Sequence, residues 1–134
     1  MILALHRATH VSLQQLAAEL AGLDLTPSEI NALGNLADGT ARTVSELGTA
    51  IGGRPTTLTG ILDRLERRDL ITRGSRPGDR RAVQISLTPH GQHAAAQVQA
   101  ALDDLETACL AGLDPRAIAG FHAVAAALTA GPPR

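Results

Sequence analysis

The chain has 134 residues and a formal net charge of −1, enough for one modest domain with a single core. Hydrophobic residues make up 44% and charged residues 19%, which excludes a disordered chain, and the single cysteine, Cys109, excludes an intrachain disulfide. Phe121 is the only aromatic residue, which argues against stacking unpaired bases and directs the core toward close-packed helices of Leu, Ile, Val and Ala.

An amphipathic first helix is predicted to present Leu13, Leu16, Ala17 and Leu20 before Gly22. Thr26-Pro27-Ser28-Glu29 then supplies an N-cap hydroxyl, a proline at the first helical position and a capping-box glutamate. The helix it opens buries Ile30, Leu33 and Leu36 and stops at Asp38-Gly39. A second capping box, Thr43-Val44-Ser45-Glu46, starts a short helix with Val44, Leu47 and Ile51 on one face. Gly52-Gly53 breaks it, and Pro55 opens another helix with Leu58, Ile61, Leu62 and Leu65 at i, i+3, i+4 and i+7. Helices joined by a tight turn in this way make a helix-turn-helix.

The period then changes to two. Leu70–Arg73 and Ala82–Leu87 read as strands, separated by an Arg-loaded loop from Gly74 to Arg81, so a small antiparallel β-hairpin is expected. Thr88-Pro89 restarts helix with a stripe of Ala94, Val98, Leu102, Leu105 and Cys109, on which the thiol is expected to be packed and inert. Asp114-Pro115 opens a final helix bearing Ile118, Phe121, Ala125 and Leu128. The fold class is mainly α with a winged helix-turn-helix over residues 25–88. The helices in 1–23 and 89–134 are expected to serve dimerisation, because their apolar faces exceed what so small a lobe can cover.

The charge is unevenly spread. All twelve cations are arginine, and the eight from Arg54 to Arg81 face only four acids, giving that segment +4 against −5 for the remainder. A basic segment on an acidic body suits a localised polyanion-binding face. On the helix from Pro55, the face opposite the buried stripe offers Thr56 and Thr59, flanked by Thr57 and Arg64, with Arg54 at the helix start. Short hydroxyl side chains and arginine there suit base edges and phosphates in a major groove. In the loop, Arg76, Arg80 and Arg81 are candidates for a minor groove, whose negative potential favours arginine, with Asp79 expected to hold one guanidinium as a bidentate pair. Arg68 and Arg73 are expected to join them, so that five cations converge near the hairpin.

Other chemistries lack support. No P-loop, nucleophile elbow or orienting Cys/His couple is present, so no catalytic residue is expected. His6/His10 and His90/His93 have no third ligand close in sequence, so neither a metal nor another cofactor is expected. No apolar run reaches the length of a membrane span, and Arg7, His10 and Gln14 interrupt the apolar start. The expectation is a cytoplasmic protein. The rival to DNA binding is a winged helix that binds other proteins.

The stretch from Leu58 to Gly91 resembles the multiple-antibiotic-resistance regulator (MarR) family. Its most specific part is Asp79-Arg80-Arg81 leading through Ala82–Ser86 to Leu87-Thr88-Pro89-His90-Gly91, which matches the family's wing: Asp-x-Arg, a strand ending in Leu-Thr, then a short step to glycine. Leu62–Ile71 likewise looks like the family's exit from recognition helix to wing. The resemblance implies a homodimeric transcription regulator of double-stranded DNA, a ligand-responsive repressor on pseudo-palindromic operators. It implies that Arg81 reaches the minor groove with Asp79 as its positioning partner, and that Thr56, Thr57, Thr59 and Arg64 contact DNA from the recognition helix. It further implies a small-molecule effector, aromatic or phenolic, between the dimer helices and the DNA lobe. Two departures stand out: Gly60 occupies a position that is often basic in the family, and the first helix is short.

Overall fold

The computed structural model describes residues 1–134. Six helices and three short strands run α1 (Ile2–Glu19), a 3-10 turn (Ala21–Leu23), α2 (Pro27–Leu36), β1 (Arg42–Thr43), α3 (Val44–Ile51), α4 (Pro55–Arg67), β2 (Ile71–Arg76), β3 (Asp79–Leu87), α5 (Pro89–Leu110) and α6 (Pro115–Ala130). The chain divides into two compact units, Met1–Asp103 and Asp104–Arg134. No helix is long and apolar enough to cross a membrane.

The first unit is a winged helix-turn-helix with preceding and following helices. Its core is aliphatic: Leu16 of α1, Ile30, Leu33 and Leu36 of α2, Leu47 of α3, the α4 stripe of Leu58, Ile61, Leu62 and Leu65, and Val98 of α5 are all buried. The expected helix starts are made by the expected groups. Thr43 forms a complete capping box, its Oγ1 accepting from Glu46 N at 3.1 Å while its own N–H donates to Glu46 Oε2 at 2.8 Å. That backbone hydrogen bond comes first in holding the Glu46 carboxyl below its ordinary pKa, with nearby Arg76 adding to the effect. Gly52 closes α3 at φ 67, a left-handed conformation that glycine adopts without steric cost, and the chain turns into α4.

The cap of α2 departs from expectation. Thr26 Oγ1 accepts from Glu29 N at 3.2 Å, but the Glu29 side chain does not return to complete a box. It lies buried, 3% exposed, between α2 and α4, where arginines outbid the Thr26 amide for its charge.

The hairpin is longer than the alternation of Val83, Ile85 and Leu87 indicates. The sequence assigns Gly74–Arg81 to a loop, whereas strand pairing runs from Ile71↔Leu87 out to Arg76↔Asp79, with an irregularity at Ser75/Arg76. Only Pro77 and Gly78 lie between the strands, with Gly78 at φ 84; Pro-Gly at the centre of a turn supplies both a preset φ and a left-handed residue. Exposed strands need no apolar alternation, which is why these polar residues read as loop. A third strand, β1, also went unread: Arg42 and Thr43 pair with Ile85 and Gln84, giving the order β1-β3-β2.

The junction before α5 is tightly tied. Thr88 N donates to Leu70 O at 3.1 Å, Thr88 Oγ1 donates to Asp69 O, and the same oxygen accepts from Gly91 N at 2.9 Å. Gly91 has no room for a side chain, since a Cβ there would lie 1.8 Å from Leu70 O.

In the second unit Asp114 caps α6, its Oδ1 accepting from Arg116 N at 2.8 Å. None of the residues of α6 is buried, and Phe121, Val124 and Leu128 are exposed. Cys109, expected to be packed, is also exposed, because nothing in the single chain covers the outer end of the α5 stripe.

Candidate nucleic-acid interface

Two elements present the basic segment. The first is α4, amphipathic because its aliphatic stripe repeats at helical spacing, which leaves Arg54, Thr56, Thr57, Thr59 and Arg64 exposed. Arg54 is the N-cap and its side chain makes no capping bond. The first-turn amides are therefore not satisfied by a side chain, and together with the helix dipole they favour an anion there. Thr59 Oγ1 donates to Pro55 O at 3.0 Å, so its hydroxyl proton is used and its lone pairs remain free to accept.

The second element is the wing. Thr59 of α4 and Gly74, Ser75 and Val83 of the hairpin line one groove of about 490 Å³, which places helix and wing side by side. Ion pairs brace them: Arg73 Nη2 lies 2.6 Å from Glu66 Oε2 and also binds Asp63 Oδ1. The hydrogen bond to Asp63, then that to Glu66, raises the Arg73 pKa above its ordinary value. Arg76 Nη1 lies 3.7 Å from Glu46 Oε1, linking the wing to α3.

The expected convergence of five cations is therefore reduced. Arg73 is neutralised by α4, and Arg68, though exposed, is tied to the chain, donating to Asp24 O at 2.7 Å and approaching Glu29 Oε2 at 3.6 Å. Within the Arg54–Arg81 segment, the arginines without a carboxylate partner are Arg54, Arg67, Arg80 and Arg81. Arg80 and Arg81 are both exposed and sit in β3 rather than in a loop. Both lie at the irregularity of the ladder, between the pairs Arg76↔Asp79 and Ser75↔Val83.

Asp79 acts differently from the expected bidentate pair. Its Oδ1 accepts from the backbone N–H of Arg81 at 3.0 Å, and no guanidinium lies within ion-pair distance of it. A short carboxylate two residues before an amide bonds it readily, closing the turn, so Asp79 fixes the Arg81 main chain and leaves its side chain free.

The sequence also missed how Arg64 is held. Its Nε donates to Glu29 Oε1 at 2.9 Å, while its side chain stays 45% exposed. Nothing local signals this contact, which joins residues 35 positions apart. No group of three or more His, Cys, Asp or Glu is placed to hold a metal.

Residues 23–82, which contain α4, β2 and the start of β3, match the MarR family model. Through this lobe the chain is similar to the MarR family. The curated HTH-type transcriptional repressor MdtR of Bacillus subtilis (strain 168) is 34% identical over 67 residues, covering 50% of this chain and 43% of that protein. The match thus spans less than half the length of that relative. The crystal structure of NadR in complex with 4-hydroxyphenylacetate superposes with a TM-score of 0.85 at 22% identity, covering 97% of this chain and 92% of NadR. Bordetella bronchiseptica BpsR, whose DNA binding is regulated by 6-hydroxynicotinic acid, superposes at 0.72 with 23% identity, covering 90% and 86%. These likenesses establish the MarR winged-helix fold along nearly the whole chain. The family is one of transcription regulators, not of enzymes.

Gly60, the departure from the family pattern on α4, has a local use. A Cβ built there would lie 3.5 Å from Arg64 Nη1, an ordinary contact distance, so the guanidinium reaches back over this position. Gly60→Ala is accordingly expected to keep Arg64 in place and to stabilise the lobe by up to about 1 kcal/mol, the helix-propensity difference. Thermal unfolding checks this, and a lower melting temperature would show that Arg64 had been displaced.

Proposed function

We propose that this chain is a double-stranded-DNA-binding transcription repressor that acts as a homodimer and is released from its operator by a small aromatic acid. The observation that carries the reading is the pair of exposed, acid-free arginines Arg80 and Arg81 on a wing braced against α4, whose own outer face offers Arg54, Thr56, Thr57 and Thr59. In this reading α4 enters the major groove and Arg81 the flanking minor groove. Arg76 and Asp79 position the wing.

The dimer is supported by the uncovered apolar side chains of α6 and by exposed Ile2 and Leu3 at the start of α1. Residues 1–23 and 89–134 are the dimerisation helices in this reading. Footprinting on the DNA upstream of its gene is expected to show two half-sites about one helical turn apart, related by a pseudo-two-fold. Protection of one asymmetric half-site would contradict the homodimer.

The effector reading draws on NadR and BpsR, whose partners are both aromatic acids. A cavity of about 200 Å³ in the first unit has an apolar lining of Leu23, Leu25, Leu70 and Ala94, with Arg68, His90 and His93 as polar groups. Apolar walls with a few polar groups are the chemistry that a ring bearing a carboxylate would meet. Addition of 4-hydroxyphenylacetate to a preformed complex tests it: release supports an effector of this class, and unchanged binding across a panel of aromatic acids would remove it.

A further inference from the structure

Glu29 is the only acidic side chain in the buried core, and its place in α2 gives it no access to DNA in the reading above. Its two carboxylate oxygens serve α4 and its end: Oε1 accepts from Arg64 Nε at 2.9 Å, and Oε2 lies 3.6 Å from Nη1 of Arg68, the C-cap of the helix. Arg68 is also anchored on the carbonyls of Leu23 and Asp24, so it is not available to turn outward. Arg64 differs. Only its Nε is taken by the carboxylate; the side chain is 45% exposed, and Nη1 extends toward Gly60, back toward the N-terminal end of α4.

A guanidinium has five donors in a rigid plane, so fixing one edge fixes the direction of the others. Free in solvent, an arginine side chain samples many rotamers and must be ordered on binding. A buried ion pair is also weak evidence for stability, because desolvating the carboxylate offsets much of the attraction. From this geometry we infer that Glu29 is a positioning residue for DNA recognition: it holds the Arg64 guanidinium by its inner edge so that the outer nitrogens are aimed at one base pair of each half-site. The inference rests on the DNA-binding reading and assigns within it which arginine of α4 carries base preference, and what aims it.

The test is selection of preferred duplexes from a randomised library by the full chain and by the variants Glu29→Gln, Arg64→Ala, Arg64→Lys and the double variant Glu29→Gln/Arg64→Ala. Arg64→Ala is expected to reduce discrimination at one base pair per half-site by about tenfold, the scale of one arginine–base contact. Glu29→Gln is expected to flatten preference at that same base pair, with no further change there when the two are combined. Arg64→Lys keeps a cation against the buried carboxylate, so it preserves folding, yet it cannot fix a second donor outward; it should lose the same preference. Retained preference in Arg64→Lys would overturn the proposal. So would a Glu29→Gln protein that binds all sequences equally less well with its base preferences intact, since that is the mark of a purely structural glutamate. Failure of the unaltered chain to select any duplex would instead refute the DNA-binding reading itself.

Discussion

Gly91→Ala is expected to destabilise the winged lobe by about 3 kcal/mol or more, a large fraction of the stability of a domain this size. The added carbon would fall 1.8 Å from Leu70 O, well inside any contact distance. Neither side can yield cheaply. Leu70 O accepts from Thr88 N, Gly91 N donates to Thr88 Oγ1, and Thr88 Oγ1 donates to Asp69 O, so all the groups nearest the clash are tied by hydrogen bonds. Asp69 itself sits at φ 56, a conformation in which a side chain already strains the backbone. Moving α5 away would also break the packing of buried Ala94, Ala95 and Val98. Chemical denaturation measures the loss. The same substitution at Gly60 supplies the control, because a Cβ there meets only Arg64 Nη1 at 3.5 Å. A Gly91→Ala protein as stable as the parent would mean that the α4–β2 junction and the start of α5 are not packed as described.

Arg81→Ala is the second large effect, and it concerns binding rather than folding. The expected loss is about 10- to 100-fold in affinity for the preferred duplex, in line with about 1–3 kcal/mol for a well-placed arginine contact. Stability should stay within about 0.5 kcal/mol, since Arg81 is exposed and its side chain makes no ion pair. Arg80→Ala provides the comparison, because Arg80 is the neighbouring exposed arginine whose main chain Asp79 does not fix. A smaller loss is expected there. Equal or larger loss in Arg80→Ala would reassign the groove contact to that residue.

The helix boundaries were legible because they are local. Thr26, Thr43, Thr88 and Asp114 each cap the helix that the sequence places after them, and their partners lie within three residues. The aliphatic stripe of α4 was legible for the same reason, its spacing being the helical period. Contacts between distant segments were not. Glu29 reads as a capping-box residue on α2, and only the fold brings Arg64 against it. The strand β1 has two residues, too few to show any alternation. The wing's reach was underestimated because its outer strands are polar on both faces, and Asp79 was misread because a backbone amide two residues on competes well with a flexible guanidinium. Cys109 differs in the opposite sense: an apolar stripe shows that a face is suited to burial, not that the same chain supplies the cover.

The central claim, that the α4–wing surface of this MarR-like lobe binds duplex DNA by sequence, is tested most directly by a gel-shift titration with the DNA upstream of its own gene against a scrambled duplex of equal length. The account predicts tighter binding to the upstream duplex, affinity that falls steeply with added salt as phosphate contacts release counterions, and a salt slope reduced by about one per half-site in Arg81→Ala. No shift with either duplex at low salt would contradict it and would favour a winged helix that binds protein instead.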